Sequence, residues 1–175
     1  MNIIKSWLAG ACLISLLFIF QSPSKAQSYS WSAVYSLIES RFPQIPTVDI
    51  DVLETWKQST EVLLIDVRER EEFLISHLLG AQNRTSISDF QHIPKDKRMV
   101  LYCSVGYRSA KLVETLQREG YTQVYNLKGS IFAWANAGKP VYQTETTTTF
   151  VHPYNEIWGQ LLHKKYHPTL PNRER

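Results

Sequence analysis

Hydrophobic and polar positions follow two rhythms along the middle of this chain. Val62-Leu63-Leu64-Ile65 is an unbroken apolar run between Glu61 and Asp66, and Met99 to Tyr102 is another after Arg98. Short runs without polar alternation mark strands covered on both faces, as in a parallel sheet. We read strands over Glu61–Asp66, Arg98–Cys103 and Val124–Leu127, with Thr47–Ile50 as a shorter candidate. Between them the apolar spacing lengthens to that of helices. Asp51 caps a helix through Trp56, Arg68 to Ser76 reads as a charged helix, and Tyr107 to Glu119 as a longer one closed by Gly120. A turn at Gly129-Ser130 leads into a helix over Ile131–Asn136, ended by Gly138 and Pro140. Strands alternating with helices predict an α/β fold, one domain over residues 47–142 with a mainly parallel central sheet flanked by helices.

Both flanks differ from this core. In residues 27–46, Trp31, Val34, Tyr35, Leu37 and Ile38 fall near helical spacing, and Pro43 and Pro46 stop the run. Residues 143–175 form a C-terminal extension. Its threonines, Thr146 to Thr149, make a polar, β-prone connector. Asn155 then caps a short amphipathic helix with Ile157, Trp158, Leu161 and Leu162 on one face and Lys164 and Lys165 at its end. Such a face ordinarily covers its own domain.

The first 26 residues are read apart from the fold. Lys5 gives a positive start, Trp7 to Phe20 is a 14-residue apolar run, and Ser22-Pro23 precedes Ser24-Lys25-Ala26. This is the order of a secretory signal peptide, and a membrane span would need about 20 apolar residues. The expectation is export after cleavage behind Ala26; the alternative is an uncleaved membrane anchor. Cleavage leaves 149 residues, lowers the net charge from +3 to +1 and removes Cys12, so Cys103 stays as the sole cysteine.

Composition narrows the classes further. At 175 residues the chain holds one domain with trimmings, and its 43% hydrophobic content can build a core. Basic and acidic side chains number 19 and 16, with no basic run longer than Lys164-Lys165, so a nucleic-acid footprint is not indicated. No CxxC or Cys/His cluster points to zinc. Membrane contact is open only to an uncleaved N-terminus or the C-terminal helix.

The chemistry concentrates where a strand ends at Cys103 and a helix begins near Tyr107. In an open α/β sheet, ligands bind beyond the carboxyl ends of the strands. The N–H groups of Ser104 to Ser109 can curl into an anion-binding nest at a helix N-terminus. Gly106 allows a backbone angle, or a close approach, that a side chain would block. A thiol in such a cup has a lowered pKa and becomes a nucleophile near neutral pH. Arg108 adds a fixed cation with planar donors. Ser109 reads as a cap or first-turn residue.

The loop Cys103-Ser104-Val105-Gly106-Tyr107-Arg108 resembles the CxxGxR active-site loop of the rhodanese (thiosulfate sulfurtransferase) family. Leu64-Ile65-Asp66-Val67-Arg68-Glu69, with Glu72-Phe73 following, is similar to the family's strand-to-helix segment. His77-Leu78-Leu79-Gly80-Ala81-Gln82-Asn83 and Asn126-Leu127-Lys128-Gly129-Ser130-Ile131-Phe132-Ala133-Trp134 resemble two more of its motifs, in the right order. Departures are Ser76, Leu79 and Ser130, which stand where the family has Gly, Pro and Gly, and which concern turns.

The resemblance implies transfer of sulfane sulfur by double displacement. Cys103 would take the sulfur as a persulfide and pass it to a thiol or cyanide-like acceptor. Ser104, Val105, Gly106, Tyr107 and Arg108 would bind the donor, a small sulfur compound such as thiosulfate, with Arg108 steadying its negative charge. Asp66 and Arg68 would support the loop, their plainer reading being a strand-end cap and a surface ion pair. His77 is expected to be a hydrogen-bonded structural histidine. The implied reaction requires no metal and no organic cofactor. Two other readings share the fold: a binding or sensing module without turnover, and a cysteine phosphatase. A phosphatase cup needs five residues between cysteine and arginine, and here four intervene.

Overall fold

The computed structural model describes residues 30–168. The candidate signal segment, Cys12 and the last seven residues of the extension lie outside the described residues. Helix α1 (Trp31–Arg41) starts at Ser30, whose hydroxyl accepts from the Ala33 N–H, and buries Val34 and Ile38. Strand β1 (Thr47–Val48) is shorter than expected because helix α2 (Ile50–Ser59) begins at once. Asp49, not Asp51, is the residue before that helix; its carbonyl accepts from the Leu53 N–H at 3.1 Å.

Next come β2 (Leu63–Asp66), α3 (Arg70–Ile75), β3 (Gln82–Asn83) and a 3-10 turn at Ile87–Phe90. Helix α3 starts two residues later than the charge pattern suggests, because Arg68 turns inward to Asp66. β4 (Met99–Tyr102), α4 (Tyr107–Arg118), β5 (Val124–Leu127) and α5 (Ser130–Asn136) complete the domain. Five parallel strands form one sheet in the order β1-β5-β4-β2-β3, the α/β architecture that the pattern predicts.

The central strand shows why its apolar run is unbroken. Successive side chains point to opposite faces, so Val100 and Tyr102 join one buried cluster while Met99, Leu101 and Cys103 join the other. Burying each of these side chains contributes roughly 1.5–3 kcal/mol. Both faces are covered, and the one hydroxyl in the run, that of Tyr102, is satisfied by the Leu78 N–H at 3.0 Å.

The extension folds differently from its expectation. Val141–Gln143 (β6) and Thr146–Thr148 (β7) pair antiparallel, so the threonine connector is half of a hairpin. In place of one amphipathic helix there are two 3-10 turns, Trp158–Leu161 and Lys164–Tyr166. The Asn155 carboxamide oxygen does cap, accepting from the Ile157 and Trp158 N–H groups at 3.0 and 2.9 Å. The expected apolar face is split: Leu161 and Leu162 are buried while Ile157 is 50% exposed. Docking on its own domain holds, since the Asn136 side chain bonds the Leu161 carbonyl and the His163 N–H. Among the described residues no helix is long and apolar enough to cross a membrane.

Candidate active site

Strand β4, flanked by β2 and β5, delivers Cys103 to the carboxyl edge of the sheet. The chain turns through Ser104 and Val105, and α4 begins after Gly106 at φ 110°. That angle, rather than a close approach, is what requires glycine. A Cβ there would point toward Ile38, Asn126 and the Leu127 carbonyl at 3.4–3.5 Å, which is ordinary contact, and not toward the sulfur. The turn aims the Gly106 N–H at Cys103 Sγ, 3.1 Å away.

The start of α5 clamps the same loop from the other side. Ile131 and Phe132 N–H groups donate to the Cys103 and Ser104 carbonyls at 3.2 and 3.1 Å. The Cys103 N–H donates to Ser130 Oγ at 3.1 Å, and that hydroxyl donates to the Leu127 carbonyl. Ser130 sits at φ 51°, a left-handed angle that suits glycine better. The departure at Ser130 therefore does more than alter a turn: its hydroxyl braces the cysteine backbone.

Ser109, in the first turn of α4, is buried with its Oγ 3.6 Å from Cys103 Sγ and 2.6 Å from Asn126 Oδ1. Burial acts to raise the Cys103 pKa. The Arg108 charge, the Ser109 N–H and hydroxyl, and the Gly106 N–H outweigh it, so the thiol lies below its ordinary range. A lowered thiol pKa at a helix N-terminus is the condition for a nucleophilic cysteine.

Arg108 does not face the cavity as an isolated cation. Its Nη1 and Nη2 bond Glu72 Oε2 and Oε1 at 2.7 and 2.9 Å, and Nη2 also reaches Ser104 Oγ at 3.0 Å. The Ser104 hydroxyl in turn donates to Glu72 Oε1 at 3.2 Å. Burial pushes the Glu72 carboxyl up, but Arg108, Arg68 and the Glu69 N–H bring it below its usual value. Burial likewise opposes the Arg108 charge, and Glu72 and the thiolate more than restore it, so its pKa rises.

Cys103, Ser104, Val105, Tyr107 and Arg108 line one cavity of about 90 Å³, together with Tyr154 and Trp158 from the extension. Tyr107 is steadied from behind by Phe42, ring centroids 5.3 Å apart. Asp66 and Arg68 are not in that cavity, and their pair is buried, not on the surface. Arg68 Nη2 bonds Asp66 Oδ2 at 2.7 Å and the Ser76 carbonyl at 2.5 Å. Their link to the loop runs through β4, where the Val67 N–H donates to the Tyr102 carbonyl one residue before Cys103. His77 is structural in placement: each ring nitrogen lies 3.1 Å from a carbonyl oxygen, of Phe73 and Thr144.

Sequence reasoning missed Glu72, Asn126, Ser130, Tyr154 and Trp158 as parts of this site, and took Ser109 as a cap alone. The one available signal was the need of a half-buried arginine for a carboxylate. Glu72 lies 36 residues away, and only the fold brings the two together.

Residues 49–137 match the Rhodanese-like domain family. The chain belongs to that family. A sulfurtransferase of Allochromatium vinosum is 35% identical to this rhodanese-family chain over 102 residues, covering 56% of the chain and 95% of the relative. The uncharacterised protein YqhL of Bacillus subtilis is 43% identical over 75 residues, covering 41% of the chain and 59% of that protein. The solution structure of the rhodanese-like domain of the Anabaena protein Alr3790 superposes with a TM-score of 0.53 at 23% identity, over 57% of this chain and 80% of that one. That likeness is one of fold. At the level of the family, the chemistry is sulfur transfer.

Proposed function

We propose that this rhodanese-family protein carries sulfane sulfur on Cys103, from a small sulfur donor to a thiol or cyanide-like acceptor. The observation that carries the reading is the Cys103 sulfur held at 3.1 Å by the Gly106 N–H, beside Ser109 and under the Arg108 charge. The thiolate attacks the outer sulfur of the donor. A bond from Sγ to that sulfur forms as the donor's S–S bond breaks, and the leaving group departs with the electron pair. With thiosulfate the leaving group is sulfite. The persulfide anion then rests on the N–H donors of the loop until an acceptor takes the terminal sulfur and restores the thiolate.

The test is wild-type protein with thiosulfate and cyanide, followed by thiocyanate. Cys103→Ser should give none above background, because a serine alkoxide is not accessible near neutral pH and forms no persulfide. The Cys103 peptide should gain about 32 Da, one sulfur atom, when donor is added without acceptor. If no donor yields thiocyanate and the peptide never gains sulfur, the binding-module reading replaces this one. Phosphate release from an aryl phosphate that depends on Cys103 would favour the phosphatase.

We further propose export of the protein with its N-terminal segment removed behind Ala26. N-terminal sequencing should begin at or near Gln27; an intact Met1 on membrane-bound protein would favour the anchor.

A further inference from the structure

Two of the cavity's walls come from a part of the chain that the family match does not reach. The match ends at residue 137, yet Tyr154 and Trp158 close one side of the space above Cys103. They are held there by a docked segment. Leu161 and Leu162 sit in the main core, the Asn155 side chain caps the turn, and Val151 N–H bonds the Tyr166 carbonyl at 2.7 Å. Gly159 packs so tightly under Pro153 that an added Cβ would lie 2.9 Å from the proline ring. Tyr154 is held at φ 65° with its ring 4.6 Å from the Arg108 guanidinium.

The charge of the cavity matters as much as its walls. Its one cation is tied to Glu72 by two hydrogen bonds and covered on one face by Tyr154. Above the sulfur the cavity therefore offers Val105, Tyr107, Tyr154 and Trp158 and little unpaired positive charge. Inorganic thiosulfate brings two negative charges and a shell of strongly hydrated oxygens, which such walls cannot replace. A donor with an apolar body and one negative charge loses less on entering, and its body gains aromatic contact.

We propose that the C-terminal extension supplies the donor-side wall of the site, and that Tyr154 and Trp158 select apolar, singly charged sulfane-sulfur donors, organic persulfides or thiosulfonates, over inorganic thiosulfate. The assignment rests on the sulfurtransferase reading of Cys103. With benzenethiosulfonate, Cys103 forms its bond to the outer sulfur as the donor S–S bond breaks. Benzenesulfinate leaves with the electron pair, charge is conserved, and cyanide then carries the sulfur off as thiocyanate.

The experiment compares thiosulfate and benzenethiosulfonate as donors, with cyanide as acceptor, in the full chain. Variants are Tyr154→Ala, Tyr154→Phe and Tyr154→Ala/Trp158→Ala. Wild type should favour benzenethiosulfonate in kcat/KM. The double variant should lose about tenfold more with that donor than with thiosulfate, mainly through KM, so that the donor ratio falls. Tyr154→Phe should keep the wild-type ratio. Tyr154 is 44% exposed, so Tyr154→Ala alone spares the core and should give part of the loss if the double variant does not fold. Equal losses with both donors, or an unmoved ratio, overturn the wall while leaving the enzyme intact. No thiocyanate from wild type with either donor overturns the sulfurtransferase reading and this assignment with it.

Discussion

Two arginine–carboxylate pairs stand at the carboxyl edge of the sheet, and burial gives them different work. Arg68 and Asp66 lie at the end of β2 with both side chains 0% exposed. Arg108 and Glu72 meet beside the end of β4, at 28% and 4% exposure, over the same 2.7 Å closest approach. The first pair spends its donors on Asp66 and the Ser76 carbonyl, and among the described residues Arg68 Nη1 has no hydrogen-bond partner. No ligand can reach it, so it can only hold structure. The second pair faces a cavity and a thiol, and its field acts on chemistry. One kind of ion pair serves as a strut where water is excluded and as a tuning element where a substrate can enter.

The comparison breaks most visibly at Asp66. Asp66→Ala leaves Arg68 as a buried charge without its carboxylate and should cost about 3–5 kcal/mol in urea denaturation. Asp66→Leu/Arg68→Met should recover most of that loss, since replacing a buried pair by apolar side chains is often nearly neutral. Activity per folded molecule should stay close to wild type in both. A loss below about 1 kcal/mol for Asp66→Ala would remove the strut from the first half of the comparison.

The second pair should show the reverse balance. Arg108→Met should lower kcat/KM by about a hundredfold, the scale of losing one preorganised charge donor at a reacting anion. Its pH profile gives the sign. Arg108 holds the Cys103 pKa down, so the limb of kcat/KM that rises with thiolate formation should move to higher pH in Arg108→Met. Glu72→Gln removes the opposing charge, and the same limb should move to lower pH. An unmoved limb in both variants would make Arg108 a strut like Arg68.

Glu72 also carries a stability signature. Its folded pKa lies below the ordinary 4.5, so its contribution is present above about pH 4.5 and is lost as pH falls through the folded value. Urea midpoints of the wild type should fall in that acid range more steeply than those of Glu72→Gln. The smallest effect belongs to Ser109→Ala. Losing one hydroxyl near the sulfur should reduce kcat/KM by about fivefold, with the thiol limb displaced slightly upward in pH. No change in that limb would leave the Ser109 hydroxyl to Asn126 alone.

Local patterns made much of this legible. The apolar runs around β2, β4 and β5 need no partner to be recognised, because strands buried on both faces permit nothing else. The loop from Cys103 to Arg108 is equally local, since a strand end, a glycine and a helix start are neighbours in the chain. Where reading failed, the deciding contacts were distant or the elements too short. β3 has two residues, and no periodicity can be seen in two. Thr146–Thr148 became a strand because Val141–Gln143 lay opposite it. The extension broke into 3-10 turns because Leu161 and Leu162 found places in the core while Ile157 did not.

By itself, then, the order of residues determined a parallel α/β domain and a cysteine at the carboxyl end of its central strand, under backbone donors. Short-range backbone geometry and two-sided burial are enough to impose these. The pairing of Arg108 with Glu72, the brace of Ser130 beneath the cysteine and the aromatic wall of Tyr154 and Trp158 were decided by tertiary structure alone. Each depends on residues 27 to 55 positions apart in the chain meeting at one sheet edge, and charge compensation and cavity shape are properties of that meeting, not of either segment.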